Sequence, residues 1–180
     1  MGKDIRLTAS DSFQFSAYRA DPNSAPKGAI VVIQEIFGVN HHIRAVCDRL
    51  ANEGYVAIAP SIFDRVEPNF TSGYSPDEIA TARKFVANPD WAAMLRDTQA
   101  AIDAVKDVGP VGIIGFCLGG SVAYAAATKV DFRLRSATTA ARSCASPTTN
   151  PRSRPSFISA KRTRAFHLAM STPSEPSAPN

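Results

Sequence analysis

The sequence predicts an α/β fold, one domain built on a mainly parallel sheet with helices on both faces. Three observations carry this reading. Unbroken apolar runs rich in β-branched residues recur at Ala29–Ile33, Tyr55–Ala59 and Val111–Phe116, as expected of strands buried on both faces. Stretches with helical spacing of apolar residues lie between them. The third run ends in a glycine-rich turn that leads directly into another helical stretch.

Taken in order, Ile5–Ala9 and Phe13–Tyr18, split by Ser10-Asp11-Ser12, read as a hairpin, and Pro22–Lys27 as a polar turn. Ala29–Ile33 is the first buried strand. A helix is expected from His41 to Asn52, where Ile43, Val46, Cys47, Leu50 and Ala51 recur on one face and Gly54 can cap the end. Tyr55–Ala59 restarts a strand that Pro60 should stop. Two helices follow, Pro76–Ala87 and Trp91–Val105, then the strand Val111–Phe116 and a helix from Gly119.

From about Arg135 the alternation ends. Residues 135–180 contain no Gly, Val, Asp or Tyr and are rich in Ser, Pro, Thr, Ala and Arg, so no core strand is expected there and a disordered tail is the simplest reading. The expected organisation is therefore a core over residues 1–134, truncated after the helix that starts at Gly119, and a tail over 135–180.

The net charge of +4 belongs to that tail. Residues 1–134 hold 13 Lys and Arg against 15 Asp and Glu, net −2, whereas residues 135–180 hold 7 against the single acid Glu175, net +6. Arg152, Arg154, Arg162 and Arg164 have no interleaved aromatics, which argues against nucleic acid as a partner. No run approaches the roughly 20 apolar residues that cross a bilayer, and Met1–Arg6 carries no apolar signal core, so no membrane partner and a cytoplasmic location are expected. Cys47, Cys117 and Cys144 form no C-x-x-C pair, and an odd number argues for thiols rather than a disulfide framework. No metal cluster or phosphate loop is present, Gly119-Gly120 is not a dinucleotide fingerprint, and no cofactor is expected.

Gly115-Phe116-Cys117-Leu118-Gly119-Gly120 has the G-x-nucleophile-x-G pattern between a buried strand and a helix. In that setting Cys117 sits in a strained turn at a helix N-terminus, where amides and the helix dipole favour thiolate over thiol. The Leu118 amide is then placed as an oxyanion donor. The alternative is a small buried cysteine in a glycine-rich helix start. Gln34-Glu35-Ile36-Phe37-Gly38 leaves the carboxyl end of the first buried strand, the edge where open α/β sheets place ligands. This loop can supply a second oxyanion amide, and Glu35 lies near Cys117 if the two strands are neighbours; otherwise Glu35 is a solvated loop acid.

Together, Q-E-I-F-G-V-N from Gln34, A-P-S-I-F from Ala59 and G-F-C-L-G-G from Gly115 resemble the dienelactone hydrolase family over roughly residues 5–134. The resemblance implies an α/β-hydrolase fold and a Cys-Asp-His triad that opens a small ester or lactone through an acyl-enzyme. It implies that Cys117 attacks, that the Ile36 and Leu118 amides hold the oxyanion, and that Glu35 interacts with the resting thiol. In the family the triad Asp follows a strand after the elbow helix and the His comes later. Neither is assignable here: His41 and His42 precede the elbow, and no strand or turn pattern positions His167.

A frame change in the coding DNA would account for the break. Read one base out of frame, the codons for Pro155–His167 permit Thr-Leu-Leu-His-Phe-Gly-Glu-Lys-Asp-Ala-Gly-Ile-Pro, a buried strand followed by the family's G-x-x-D turn. The triad Asp would then be encoded where Thr163 stands, and the chain would end before the triad His. Three readings follow: a cysteine hydrolase of a small ester or lactone, a catalytically inactive remnant lacking the triad Asp and His, and, last, a basic-tailed binding module. Loss of the later strands should leave a long apolar edge beside the central strand. Arg83, Trp91 and Tyr74 lie in the region expected to cap the pocket.

Overall fold

The structure, a computed structural model, describes residues 1–129 and 136–140. Six strands form one mixed sheet in the order β1-β2-β4-β3-β5-β6, where β1 is Lys3–Thr8, β2 Gln14–Ala20, β3 Ala29–Ile33, β4 Val56–Pro60, β5 Val111–Phe116 and β6 Ser136–Ala140. The expected hairpin is present, β1 pairing antiparallel with β2, and β2 continues the sheet by pairing antiparallel with β4. The four strands from β4 to β6 are parallel. Pro60 ends β4 from inside rather than stopping the strand before it.

Every residue of β3 and β4 is buried, because helices cover both faces of the sheet. On one face α1, His41–Asn52, buries Ile43, Val46, Cys47 and Ala51 against Ile30, Val32, Ala57 and Ala59. On the other, α3, Trp91–Asp103, and α4, Leu118–Lys129, pack Met94, Ala101, Ile102, Val122 and Ala126 over Val31, Ile33, Ile58 and Ile113. A short 3-10 turn, Lys106–Val108, joins α3 to β5. The helix α2, Pro76–Lys84, is shorter than its apolar pattern suggested; Phe85 caps it and turns into a stack with Phe63 and Phe70, centroids 5.2 and 4.0 Å away.

The expectation of no strand after the elbow helix is overturned. Ser136–Ala140 pairs in parallel with Gly112–Phe116, so the expected bare edge of β5 is covered. The backbone ladder needs only extended chain, which Ser136-Ala137-Thr138-Thr139-Ala140 can adopt, and Thr is a good strand former. Cys144, Thr163, His167 and the tail arginines lie outside the described residues.

The A-P-S-I-F motif serves the scaffold. Ile62 and Phe63 are buried in the core, and the following Asp64 accepts from the Ser16 amide at 2.7 Å and the Asn69 amide at 2.9 Å. Arg65 is stacked on Phe13, 4.3 Å from its centroid, and grips the fully buried Asp97 of α3 with two hydrogen bonds of 2.9 and 2.8 Å while also pairing with Asp11. Arg96 completes the cluster on Asp11 at 3.0 Å. One guanidinium thus ties the hairpin turn and the loop after β4 to α3.

Candidate active site

Because β3 and β5 are parallel neighbours with Ile33 opposite Gly115, Gln34-Glu35 and Phe116-Cys117 leave the sheet side by side. The two strands that lead into Glu35 and Cys117 are therefore neighbours. The chain then turns abruptly from β5 into α4, whose first residue is Leu118. Cys117 makes the turn at φ +54, a left-handed conformation that is costly for a residue with a Cβ. The Gly120 amide closes the turn on the Cys117 carbonyl at 3.0 Å.

Both flanking glycines are required by close approach. A Cβ on Gly115 would strike the carbonyl of Gly119, and one on Gly119 would strike the backbone carbonyls of Ile33 and Gln34. The G-x-C-x-G spacing thus lets α4 cross directly over the end of β3. Leu118 is the first residue of α4 and follows Cys117 directly, so its amide lies at the helix N-terminus.

Cys117 is half-buried and packs, with Leu118, Phe70, Ile79 and Val86, against Ile36, Phe37 and Ala82. The wall beside the thiol is therefore apolar, drawn from the loop after β3, the loop before α2, and α2 itself. By contrast Cys47 is fully buried under α1, and burial pushes its thiol up to about 12, so it stays protonated at neutral pH.

The polar side of the site is a strap between two loops. The Ser72 amide donates to the Phe37 carbonyl at 3.0 Å and Gly38 bridges Thr71. Half-buried Glu35 accepts from the Tyr74 hydroxyl at 3.3 Å, and that hydroxyl accepts from Asn40 Nδ2 at 3.4 Å. Burial pushes the Tyr74 phenol up, the Asn40 hydrogen bond opposes this, and the Glu35 charge adds to it; at neutral pH the phenol keeps its proton to donate. Gln34 is fully buried; its Nε2 donates to the Glu35 carbonyl at 3.4 Å and its Oε1 has no partner among the described residues.

Of the residues expected to cap the pocket, Tyr74 is brought to Glu35, whereas Arg83 is exposed on α2 and Trp91 is exposed at the start of α3. His41 and His42 are both exposed in the first turn of α1; the His42 ring meets Phe116 edge-on at 5.8 Å. The sequence reading missed Asn40. Its position directly before the periodic run of α1 was an N-cap signal, and its Oδ1 does accept from the Ile43 amide at 3.2 Å. Among the described residues no group of three or more His, Cys, Asp or Glu could hold a metal ion, and no helix is long and apolar enough to cross a membrane.

The parallel core, its antiparallel hairpin and the strained turn at Cys117 define the α/β-hydrolase class. Within it, the chain belongs to the dienelactone hydrolase family, which it matches over residues 15–152, past the boundary expected at residue 134. It is 42% identical over 138 residues to a protein of Synechocystis sp., covering 71% of this chain and 56% of that one. It is 35% identical over 131 residues to the carboxymethylenebutenolidase of Pseudomonas putida, covering 69% and 55%. A crystal structure from Klebsiella pneumoniae subsp. pneumoniae superimposes with a TM-score of 0.56 at 34% identity, covering 71% and 56%. The chain thus spans little more than half the length of these relatives.

Proposed function

We propose that the chain carries the nucleophile half of a hydrolase of the dienelactone hydrolase type, which cleaves a small ester or lactone through an acyl-enzyme on Cys117. The observation that carries this reading is the left-handed φ of Cys117 between two glycines that admit no side chain. A cysteine is held in that conformation at a strand-to-helix turn where its sulfur is needed at the helix N-terminus. The Cys117 thiolate attacks the substrate carbonyl carbon, a C–S bond forms, and the carbonyl oxygen's negative charge is met by the Ile36 and Leu118 amides. Collapse breaks the ester C–O bond, the alkoxide leaves and takes up a proton, and water then hydrolyses the thioester. Glu35 partners the thiol at rest, and the apolar wall of Ile36, Phe37, Ile79 and Val86 receives an uncharged acyl group.

Mixing the protein with excess p-nitrophenyl acetate tests this. One equivalent of p-nitrophenolate per chain in a rapid phase is expected, abolished in Cys117→Ser; an unchanged burst in that variant overturns the assignment. A second reading, an inactive remnant, is favoured by one observation: after the elbow the sequence offers only Asp131, Glu175 and His167 as acids or imidazole. General-base help is worth about 10²–10⁴-fold. On this reading the thioester forms and persists, with no turnover after the burst.

The reading includes a frame change near the codons for Asp131–Thr139. Resequencing that DNA checks it. A continuous frame that restores an Asp in place of Thr163 and a later His supports the change, and an unaltered sequence refutes it.

A further inference from the structure

The helix α2 is turned almost entirely to solvent. Asp77, Glu78, Arg83 and Lys84 are exposed, and Ala82 is its one buried residue. Its apolar positions fall on a single face, since Ile79, Ala82 and Val86 follow one another at i, i+3 and i+7, the last just past the helix end. That face meets Ile36 and Phe37, against which Cys117 also packs. Both ends of the helix are fixed: Ser75 and Glu78 cap each other at the start, and Phe85 lies in the stack with Phe63 and Phe70 at the end. On this face Ile79 stands apart. Phe70, Val86 and Leu118 pack on the main core as well as on the cluster of Cys117, whereas Ile79 belongs to the cluster of Cys117 alone and is only half-buried.

We infer that Ile79 is a specificity-determining residue, whose side chain takes an unbranched aliphatic acyl chain longer than acetyl, such as butanoyl. The inference deepens the hydrolase reading proposed above and rests on it. An isoleucine that adds nothing to the main core, held on a fixed helix in the same cluster as the proposed nucleophile, leaves apolar surface for a ligand to cover. A methylene group moved from water into full apolar contact is worth about a fourfold change in a rate or binding constant. Butanoyl exceeds acetyl by two methylenes, and covering the pair by half therefore gives about a fourfold preference.

The test compares p-nitrophenyl butanoate with p-nitrophenyl acetate on the full chain. For each ester the second-order rate constant of the rapid phase that Cys117→Ser abolishes is divided by that of free cysteine, which removes the intrinsic reactivity of the ester. The butanoate value should exceed the acetate value by about fourfold. Ile79→Ala should lower that ratio to about twofold and Ile79→Asn to about one. Alanine is the stronger helix former and the position is half-exposed, so α2 is retained in the first variant. Val66→Asn, which replaces an apolar side chain that is 72% exposed on the loop before α2, should leave the ratio as it was. A ratio of one in the unaltered protein, or one that both Ile79 variants leave in place, overturns the inference while the Cys117-dependent phase stands. An equal loss in Val66→Asn overturns the assignment to Ile79. The absence of a Cys117-dependent phase with either ester overturns the hydrolase reading, and this inference with it.

Discussion

Cys117 offers a direct measurement of backbone strain at the proposed nucleophile. At φ +54 a side chain with a Cβ costs about 1–2 kcal/mol relative to glycine. Cys117→Ala removes the sulfur and keeps that cost, whereas Cys117→Gly removes both. In an ordinary strand or helix, glycine is worse than alanine by about 0.5–1 kcal/mol. Here the relief outweighs that loss, so Cys117→Gly should be more stable than Cys117→Ala by about 0.5–1 kcal/mol. Comparing the two variants cancels the sulfur's lost contacts with the Ile36 and Phe37 cluster. Urea unfolding followed by circular dichroism reads the difference. With a slope of about 2 kcal/mol per molar urea, the glycine variant's midpoint should lie about 0.25–0.5 M higher. A glycine midpoint equal to or below that of alanine would refute the strain, and with it the observation that carries the proposed function.

Two further outcomes concern the cluster around Arg65. Arg65→Ala leaves the fully buried Asp97 without its cation and should cost about 3–5 kcal/mol. At roughly 2–4 °C per kcal/mol, the melting temperature should fall by at least about 6 °C. Burial already pushes the Asp97 carboxyl up while Arg65 pulls it down, so without Arg65 it takes up a proton more readily; the penalty at pH 7 should shrink at pH 5, and a pH-independent penalty would count against this account. Asp11, by contrast, is held at about 2, first by the hydrogen bond from Arg65. Its folded value lies below its unfolded one, so its contribution is present above about pH 4 and is lost as pH falls through about 2. Asp11→Asn should therefore flatten the acid limb of a stability–pH curve, and an unchanged limb would exclude Asp11 as its source.

How much of this was legible in the sequence follows from how local each feature is. The strand Val111–Phe116 and the helix α1 were readable to the residue, because a buried parallel strand needs an unbroken apolar run and a half-buried helix needs its period. The elbow was readable because part of its constraint is local, Gly115 meeting Gly119 within five residues, whereas the contact of Gly119 with Ile33 and Gln34 arises only across the sheet. The end of α2 was misjudged because Phe85 and Val86 continue the apolar pattern while their burial is spent on the Phe63–Phe70 stack and the wall beside Cys117. β6 was excluded on composition, yet a strand at that place draws its stability from the ladder that β5 offers, which no property of Ser136–Ala140 alone reports.

The same distinction explains why Glu35 had only a conditional place in the sequence. Its place at the same sheet edge as Cys117 depends on β3 and β5 being neighbours, with β4 on the far side of β3, and that order comes from the crossover connections. Its tie to Tyr74 is less accessible still. The two are 39 positions apart, and the hydrogen bond exists only because Gly38 is pressed onto Thr71, Ser72 onto Phe37, and Glu78 fixes the residues on either side of Tyr74. A Cβ at Gly38 would strike the Phe70 carbonyl, so a single methyl group there would part the two loops and release Glu35 from its hydroxyl partner without touching either residue. The hydrogen bond between Tyr74 and Glu35 thus depends on packing between the two loops rather than on the motif that contains either residue.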